Sequence, residues 1–367
     1  MELTKCKLGE LITQRREKND GSDLPICGVS KDGLIPPKQK DADTSIYNVF
    51  YRDDFIFNPA RMELNSIAIN DMYDRAICSS LYEVFYVHRT DLLLPHYLEL
   101  IIRQKWFTRY CKFLGQGSAR EYCRFGNISE IEIEFPPIEE QQKIVEYNTA
   151  IENRIALKQK INDNLEATAQ AYFDSLFFDE SEPNCTLADI ALVNPVRPLA
   201  KGVEARYFEM ATLPTNGCIP TGDFIKPYNG GVRFINGDTL IARITPCLEN
   251  GKAAYINILE DNEVAFGSTE YIVFASKGNM PSSFYYFLIR NAKFVTFALQ
   301  FMNGSSGRQR VSGEELASFP LCRPSCENLE AFDKVASLVL EQMKDNTYEI
   351  QKLKQLQEVI AATISSC

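Results

Sequence analysis

A long internal repeat constrains the fold of this chain more than any other feature of its sequence. Residues 78–85 of the first half match residues 267–274 of the second half. The positions that follow recur about 187 residues later, where Pro95, Arg103, Arg120, Phe135 and Pro137 correspond to Pro281, Arg290, Arg308, Phe319 and Pro324. This period far exceeds the roughly 20–50 residues of a solenoid repeat. The sequence therefore predicts two copies of one unit, related by a pseudo-two-fold axis and suited to reading a target with two separated parts.

Each copy ends in a stretch that predicts one long helix, residues 139–178 and residues 327–366. Pro136 and Pro137 precede the first stretch, and Glu139 and Glu140 place negative charge at the positive end of the helix dipole. Both stretches carry an apolar stripe, and a helix of about forty residues is about 60 Å long, too long for burial in a small domain. We expect the two helices to pack as an antiparallel coiled-coil rod. The alternatives are that each helix folds back on its own domain or pairs with another chain.

The remainder of each copy alternates short β-rich runs with turn signals, so the predicted fold class is α/β (α+β). One helix is expected after Pro95, where apolar residues recur at helical spacing as far as Tyr110. The predicted strands are residues 46–51, 54–58, 66–69, 81–87 and 131–135 in the first copy and residues 239–243, 253–258 and 271–275 in the second.

The composition indicates an ordinary globular protein. The chain has 367 residues, 45% hydrophobic and 24% charged, which is enough for about two to three domains. No apolar run reaches the roughly eighteen residues of a membrane span and the first residues do not resemble a signal peptide, so we expect a soluble, cytoplasmic protein. The eleven cysteines include no CxxC pair and indicate buried reduced thiols. The only histidines are His88 and His96, which disfavours a histidine-rich metal site or a Ser/His pair in each half.

The net charge of −10 hides a basic segment at the same place in both copies. Residues 101–126 contain six basic residues and one acid, and residues 288–313 contain four basic residues and no acid. A polyanion responds to such local clusters rather than to the total charge. The alternative is an ordinary solvated surface.

The loop of residues 303–310 strengthens the prediction of DNA contact in the second copy. Its small residues allow a backbone to approach phosphates, and its arginine and glutamine side chains can donate to phosphates or base edges. Residues 115–120 keep the same glycine–serine–arginine order in the first copy. The predicted DNA-binding residues are Arg61, Lys112, Arg120, Arg124, Arg243, Lys252, Ser306, Arg308, Gln309 and Arg310.

Catalytic motifs are not supported by their context. Residues 113–117 match the F-x-G-x-G pattern of S-adenosylmethionine-dependent methyltransferases, but the preceding residues predict a helix rather than a strand. The nearest approach to the [D/N/S]-P-P-[Y/F] motif of adenine methyltransferases is Asn58-Pro59-Ala60-Arg61, which lacks the second proline and the aromatic residue. The sequence contains no G-x-x-x-x-G-K-[S/T] phosphate loop. A methyltransferase or a nucleotide-driven motor within this chain is therefore disfavoured.

Residues 135–144, which read FPPIEEQQKI, and residues 161–173 resemble the central conserved region of type I restriction–modification specificity subunits. Residues 237–243 and 307–311 resemble the second target-recognition domain of the same family. With both halves included, the resemblance covers essentially the whole chain. The second long helix departs from the family pattern, because Glu327-Asn328-Leu329 replaces the usual acidic-glutamine opening.

The resemblance implies that two target-recognition domains each read one half of a split double-stranded DNA sequence. The two conserved helices would fix the gap between the halves and carry two methyltransferase subunits and, through them, two restriction subunits. The chain itself would have no catalytic role and no cofactor, with S-adenosylmethionine, ATP and Mg on the partner subunits. Lys143 and Arg154 on the first helix are predicted to dock the methyltransferase subunit.

The predicted boundaries follow from the repeat and the resemblance. They are residues 1–136 for the first recognition domain, 137–182 for the central helix and its linker, 183–324 for the second recognition domain and 325–367 for the C-terminal helix. Two other functions remain open at this point. The chain could be a methyltransferase with built-in recognition, or a two-headed scaffold that binds protein instead of DNA.

Overall fold

The computed structural model describes residues 3–37, 43–115, 122–178, 182–305 and 307–365. The fold divides into two compact units. Unit 1 comprises Met1–Arg154 and Leu353–Cys367, and unit 2 comprises Ile155–Lys352. Both are rich in β-sheet, and a long helix joins the two sheet-rich domains. Among the described residues, no helix is long and apolar enough to cross a membrane.

The described residues of unit 1 form three sheets and a set of helices. Its strands are β1 (Thr4–Lys7), β2 (Ile12–Arg15), β3 (Ile26–Ser30), β4 (Gly33–Ile35), β5 (Asn48–Tyr51), β6 (Phe55–Phe57), β7 (Ile67–Ile69), β8 (Arg75–Cys78), β9 (Glu83–Val87) and β10 (Glu132–Phe135). Its helices are α1 (Pro95–Ile102), α2 (Lys105–Gly115), α3 (Phe125–Ser129) and the first part of α4 (Ile138–Phe177). The strand orders are β1-β10, β2-β9-β6-β7 (the inner sheet) and β4-β3-β8-β5 (the outer sheet).

The inner sheet of unit 1 is apolar on both faces because each face covers a separate part of the core. Successive side chains of a strand point to opposite faces. Phe55 and Phe57 accordingly pack with helices α1 and α2, whereas Ile56 packs with residues of the outer sheet such as Phe50 and Cys78. The unit is thus built as helices, inner sheet and outer sheet in three layers.

Unit 2 repeats the strand order of unit 1. Its strands are β11 (Cys185–Thr186), β12 (Ala191–Val193), β13 (Glu204–Phe208), β14 (Phe224–Pro227), β15 (Val232–Phe234), β16 (Thr239–Ala242), β17 (Ala253–Tyr255), β18 (Ala265–Gly267), β19 (Tyr271–Ser276) and β20 (Pro320–Leu321). Its helices are α5 (Leu187–Ile190), α6 (Ser283–Arg290), α7 (Ala292–Gln300), α8 (Gly313–Ala317) and most of α9 (Cys326–Ser365). Strand orders β11-β20, β12-β19-β16-β17 and β14-β13-β18-β15 reproduce those of unit 1.

The register makes the correspondence of the two units specific. Each outer sheet contains a parallel pair, β3 with β8 and β13 with β18, among antiparallel neighbours. Cys27 pairs with Cys78 in one, and Phe208 pairs with Gly267 in the other. Cys78 and Gly267 are also the positions at which the two matching sequence runs begin. The predicted duplication is confirmed at the level of topology and register.

The long helices run antiparallel within each unit. In unit 2 the Tyr172 ring of α4 lies 6.0 Å from the Phe332 ring of α9, and the Lys158 ammonium lies 2.8 Å from the Glu349 carboxylate. In unit 1 Ile144 of α4 and Ile360 of α9 pack against the same core. Early residues of one helix therefore face late residues of the other. The observed bounds lie within one residue of the predicted helices.

Each long helix also ends inside a globular core. Phe173 and Phe177 near the end of α4 are buried in the core of unit 2, and Ile364 near the end of α9 is buried in the core of unit 1. The prediction of one continuous helix after Pro95 is wrong, because α1 ends at Ile102 and α2 starts at Lys105. The break directs Phe107 of α2 into the core that also receives the side chains of α1.

Candidate nucleic-acid interface

Helix α2 of unit 1 presents a basic face with exposed aromatic rings. Its buried side, with Phe107 fully covered, packs in the core. On the other side Tyr110 and Phe113 are 41% and 65% exposed, with ring centroids 6.2 Å apart. Lys105, Arg109 and Lys112 are exposed on the same helix, and no described residue forms an ion pair with any of them. Three unneutralised cations beside two exposed rings suit a phosphate backbone.

Arg124 extends this surface at the start of α3. Its side chain is 68% exposed, and its guanidinium lies 3.5 Å from the Glu83 carboxylate and 5.5 Å from the Tyr122 ring centroid. Glu83 also accepts a 2.7 Å hydrogen bond from the Phe125 amide, so it anchors this turn. Arg61, in a short helix after β6, is exposed as well. The predicted contact Arg120 and the rest of residues 116–121 lie outside the described residues.

In unit 2 the corresponding surface is a closed loop rather than a helix face. Asn303 and Arg310 exchange two 2.9 Å backbone hydrogen bonds, which close the loop between them. Gly304 has a φ of 131°, and a Cβ there would lie 3.1 Å from the Arg308 carbonyl, so the loop requires glycine at this position. Arg308 is exposed at the tip, where no described residue pairs with it. Ser306, another predicted contact, lies outside the described residues.

The base of this loop is held against the end of β16. The Gln309 amide donates to the Thr245 hydroxyl over 3.1 Å, and the Thr245 amide donates to the Gln309 carbonyl over 3.0 Å. These bonds use the backbone of Gln309 and leave its side-chain amide half-buried beside the tip. The loop is therefore a fixed support on which Arg308 and Gln309 are displayed.

Arg310 is engaged within the protein. Its guanidinium forms a two-pronged contact with Glu270, at 2.9 Å from Nε and 2.8 Å from Nη2, and also donates to the Arg308 carbonyl. The hydrogen bond from Arg310 lowers the pKa of the Glu270 carboxyl, and the nearby charge of Arg243 adds to this effect. Arg243 itself is half-buried. The predicted contact Arg310 thus has the Glu270 carboxylate as its partner, and the Arg243 backbone amide donates to the Glu270 carbonyl over 2.9 Å.

Two other basic residues of unit 2 donate hydrogen bonds to backbone carbonyls of the protein itself. The Lys252 ammonium donates to the Met210 carbonyl at 2.7 Å. The Arg290 side chain is only 15% exposed, donates to the carbonyls of Gly217 and Gly251, and lies 3.3 Å from the Glu166 carboxylate. Of the four basic residues counted in the second window, only Lys293 and Arg308 are therefore exposed and without a carboxylate partner among the described residues.

The sequence reasoning missed a buried ion pair that occurs in both units. Arg15 contacts Asp54 at 2.6 Å and 3.0 Å, and Arg197 contacts Asp238 at 3.3 Å and 2.6 Å. Each aspartate also accepts a hydrogen bond from the backbone amide three residues earlier. Burial raises the pKa of both carboxyls. These pairs shape the turn before β6 and the turn before β16. Their partners lie 39 residues apart in one half and 41 in the other, so no fixed spacing marked the pairs in the sequence.

The predicted docking residues lie on the exposed surface of α4. Lys143 is exposed and lies 3.0 Å from Glu140, one turn earlier on the helix. Arg154 is exposed. Both α4 and α9 also expose large apolar side chains, with Tyr147 at 63% and Leu338 at 73%. Within the described ranges, no group of three or more His, Cys, Asp or Glu residues could hold a metal ion.

Comparison with known proteins finds similarity to one family in the first half of the chain. A family model described as the type I restriction modification DNA specificity domain matches residues 6–167. The HindI type I restriction enzyme specificity subunit of Haemophilus influenzae is 32% identical over 91 residues, covering 24% of this chain and 20% of the relative. The EcoEI specificity subunit of Escherichia coli is 26% identical over 190 residues, covering 49% of this chain and 32% of the relative. The matched stretches thus span a third or less of these relatives.

A comparison of structures extends over the whole chain. The crystal structure of the type I restriction–modification system S subunit from M. genitalium superimposes with a TM-score of 0.63. The match covers 99% of this chain and 96% of the other at 14% sequence identity. At this identity the match shows a common fold.

Proposed function

We propose that this chain belongs to the family whose type I restriction modification DNA specificity domain matches residues 6–167, and that it is the DNA sequence-specificity subunit of a type I restriction–modification complex. In this proposal it recognises a bipartite DNA target and positions methyltransferase and restriction subunits on it. It has no catalytic role of its own. S-adenosylmethionine, ATP and Mg belong to the partner subunits, and the complex works in the cytoplasm.

The observation that carries the proposal is the duplication itself. Two units share strand order and register, and each displays exposed arginine or lysine beside the start of its α3 or α8 helix. A bipartite, asymmetric DNA sequence is the target that two related but different surfaces suit. The units therefore take the roles of the two target-recognition domains, with residues 1–136 and 183–324 as their proposed bounds and residues 137–182 and 325–367 as the proposed helical segments.

The proposed interface of unit 1 is the exposed face of α2 together with Arg61 and Arg124. In this proposal these cations contact DNA phosphates. Phosphate contacts fix the position of the domain on DNA. Arg120 remains a proposed contact from its sequence alone. The exposed side chains are many and the local acids few, so an affinity that falls steeply with salt is expected.

In unit 2 the proposed contacts are Arg308 for phosphate and Gln309 for a base edge. Glutamine can pair with adenine through two hydrogen bonds. Arg310 positions the loop through Glu270, the Arg243 carbonyl accepts a hydrogen bond from the Val311 amide after the loop, and Lys252 supports the backbone at Met210. Ser306 remains a proposed contact from its sequence alone. In this assignment the loop carries the specificity of the second half.

Mapping of DNA methylation tests this function. The full chain is expressed with the methyltransferase subunit of its own system, and N6-methyladenine is mapped across the host genome. We expect one split motif with a methylated adenine in each part, and no such motif when the methyltransferase subunit is expressed alone. Gln309→Ala is expected to relax one part of the motif and leave the other part unchanged. Proteins that purify together without any motif would contradict DNA recognition.

The docking assignment has its own test. Lys143→Glu and Arg154→Glu, which reverse two charges on α4, are expected to reduce recovery of the methyltransferase subunit with the full chain. Lys5→Glu, on an exposed lysine of β1, is the matched control. Unchanged recovery with both α4 variants would remove this face from the docking surface without affecting the DNA assignment.

A further inference from the structure

A cavity of about 590 Å³ lies at the outer sheet of unit 1. Its volume falls in the range of small-molecule sites, about 300–1,000 Å³. Strand β3 forms one wall, where Gly28 contributes no side chain, and Leu64 and Leu81 stand at its edge with 60% and 78% of their surface exposed. The cavity is therefore open to a ligand from solution and apolar along much of its lining.

The charged side chains that line the cavity are all basic. Lys31 and Arg61 contribute positive charge, Tyr47 and Tyr82 contribute rings with hydroxyl groups, and no aspartate or glutamate lines the space. In the described part of the chain, no hydrogen bond or ion pair engages the Lys31 ammonium, the Arg61 guanidinium or the two tyrosine hydroxyls. Convergent donors without protein partners in an apolar cavity are the usual marks of a ligand site.

The protein fixes the position of these groups. Lys31 follows β3, and its carbonyl accepts a 2.9 Å hydrogen bond from Arg103. Arg61 lies in a short helix whose start is capped by Asn58, itself part of the cavity lining. Tyr82 packs on the apolar cluster between the two sheets of unit 1. Backbone hydrogen bonds therefore hold the segments of Lys31, Tyr47 and Arg61, and packing holds the Tyr82 ring.

The corresponding face of unit 2 is filled by aromatic side chains. The parallel pairs place Tyr207 beside Phe266 where unit 1 has Ile26 beside Ile77. The Tyr207 ring lies 5.0 Å from Phe266 and 5.3 Å from Phe224. The Lys226 ammonium lies 3.4 Å from the centroid of the Tyr207 ring, so this cation already has a cation–π partner within the protein. Aromatic side chains thus stand in unit 2 at the positions of Ile26 and Ile77 in unit 1.

We propose that this cavity binds one nucleotide, with its phosphate on Lys31 and Arg61 and its base between the Tyr47 and Tyr82 side chains. The chemistry is that of an anionic group attached to a planar ring, which matches two donors of positive charge beside two aromatic rings. Such a group has two sources, a free nucleoside monophosphate or one unpaired nucleotide of a DNA strand. Only the second source rests on the proposed function.

Binding to the purified full chain tests the site. The probes are the four deoxynucleoside monophosphates, inorganic phosphate, a paired DNA duplex and the same duplex with one unpaired nucleotide. Arg61→Met is expected to weaken nucleotide binding about ten-fold, the effect of one lost charge-assisted contact. Tyr47→Leu is expected to weaken binding of the nucleotide and not of inorganic phosphate. Arg89→Met, which removes an exposed arginine paired with Asp91 away from the cavity, is the control and should leave binding unchanged.

The outcomes separate the two sources. Binding of a free monophosphate that Arg61→Met weakens supports a soluble nucleotide as ligand. Preference for the duplex with an unpaired nucleotide, lost in Tyr47→Leu while binding of the fully paired duplex is kept, and without binding of free monophosphates, supports the DNA strand.

Two results would overturn the proposal. The first is equal binding of inorganic phosphate and monophosphates, since it removes the role of the rings. The second is nucleotide binding that both cavity variants leave intact. Urea midpoints of the variants establish that each one folds, and binding of the fully paired duplex reports on the proposed function separately.

Discussion

Helices α2 and α7 occupy equivalent places in the two units, yet they offer a polyanion different surfaces. Helix α2 exposes Lys105, Arg109 and Lys112, whereas Lys293 is the single basic residue of α7 and is also exposed. Unit 2 instead displays Arg308 on a closed loop. The cores kept the strand order while the exposed surface changed. Divergence of this kind is expected when two related domains read two different sequences, because packing constrains the core and the target constrains the surface.

The largest expected difference concerns an arginine that occurs in both copies. Arg290→Met should lower the free energy of unfolding of unit 2 by about 3–5 kcal/mol, because it leaves Glu166 and two glycine carbonyls without their buried partner. Arg103→Met, at the equivalent position, should cost only about 1 kcal/mol, because Arg103 donates to one carbonyl and pairs with Glu99 near the surface. Urea unfolding of both variants checks this. Equal losses would contradict the different burial of the two side chains.

The second comparison concerns the dependence of DNA binding on salt. Replacing Lys105, Arg109 and Lys112 by glutamine should reduce the slope of log K against log salt by roughly 2.7, at about 0.9 for each phosphate contact. Lys293→Gln on α7 should reduce it by at most about 0.9. Affinities of the complete methyltransferase complex for cognate DNA at four salt concentrations give both slopes. A triple variant with the wild-type slope would exclude α2 from the interface.

A third prediction separates the two arginines of the unit 2 loop. Arg310→Gln should weaken DNA binding indirectly, because the Glu270 carboxylate is then left without its partner beside the phosphates. Adding Glu270→Gln should restore part of the affinity, roughly 1 kcal/mol of coupling between neighbouring residues. Arg308→Gln should weaken binding whether or not Glu270 is replaced. A double-mutant cycle on cognate DNA measures both couplings, and a zero value for Arg310 with Glu270 would refute the indirect role.

The pH dependence of the single variant provides an internal check on this mechanism. Arg310 holds the pKa of Glu270 below its usual value, so in the parent protein the carboxylate stays charged as the pH falls toward its ordinary range. Without Arg310 the pKa should rise toward the ordinary value, and protonation would then remove the repulsion of DNA at a higher pH. The affinity deficit of Arg310→Gln should therefore shrink on acidification, and that of Arg308→Gln should not.

Much of the fold follows from the sequence because its signals are local or repeated. The helix of residues 138–177 was predicted within one residue from a proline pair, an acidic first turn and an apolar stripe. The duplication was visible from matching runs such as residues 78–85 and 267–274. Both signals depend on spacing along the chain, which the fold preserves.

The state of individual charges could not be predicted in the same way. Arg290 lies in a basic segment and Lys252 follows a strand, as exposed DNA-contact residues would. Their side chains instead donate hydrogen bonds to backbone carbonyls that are distant in sequence. The pairing of Arg15 with Asp54 likewise joins positions far apart in sequence. Counting charges within a window cannot distinguish a solvated cation from one that is already hydrogen-bonded or ion-paired within the protein. The cavity at Arg61 also could not be predicted, because its lining comes from segments that are far apart in sequence, such as strand β3 and Tyr82.

The smallest effect is expected at Lys252, and it distinguishes a structural cation from a DNA contact. Lys252→Met should leave the salt slope of DNA binding unchanged, because its ammonium already donates to the Met210 carbonyl at 2.7 Å. The free energy of unfolding should fall by about 1 kcal/mol, the typical worth of one such hydrogen bond. Arg308→Gln is the matched control, with the reverse pattern of a reduced slope and an unfolding free energy within about 0.5 kcal/mol of the parent. A reduced slope for Lys252→Met would show that DNA displaces the Met210 contact and would return Lys252 to the interface.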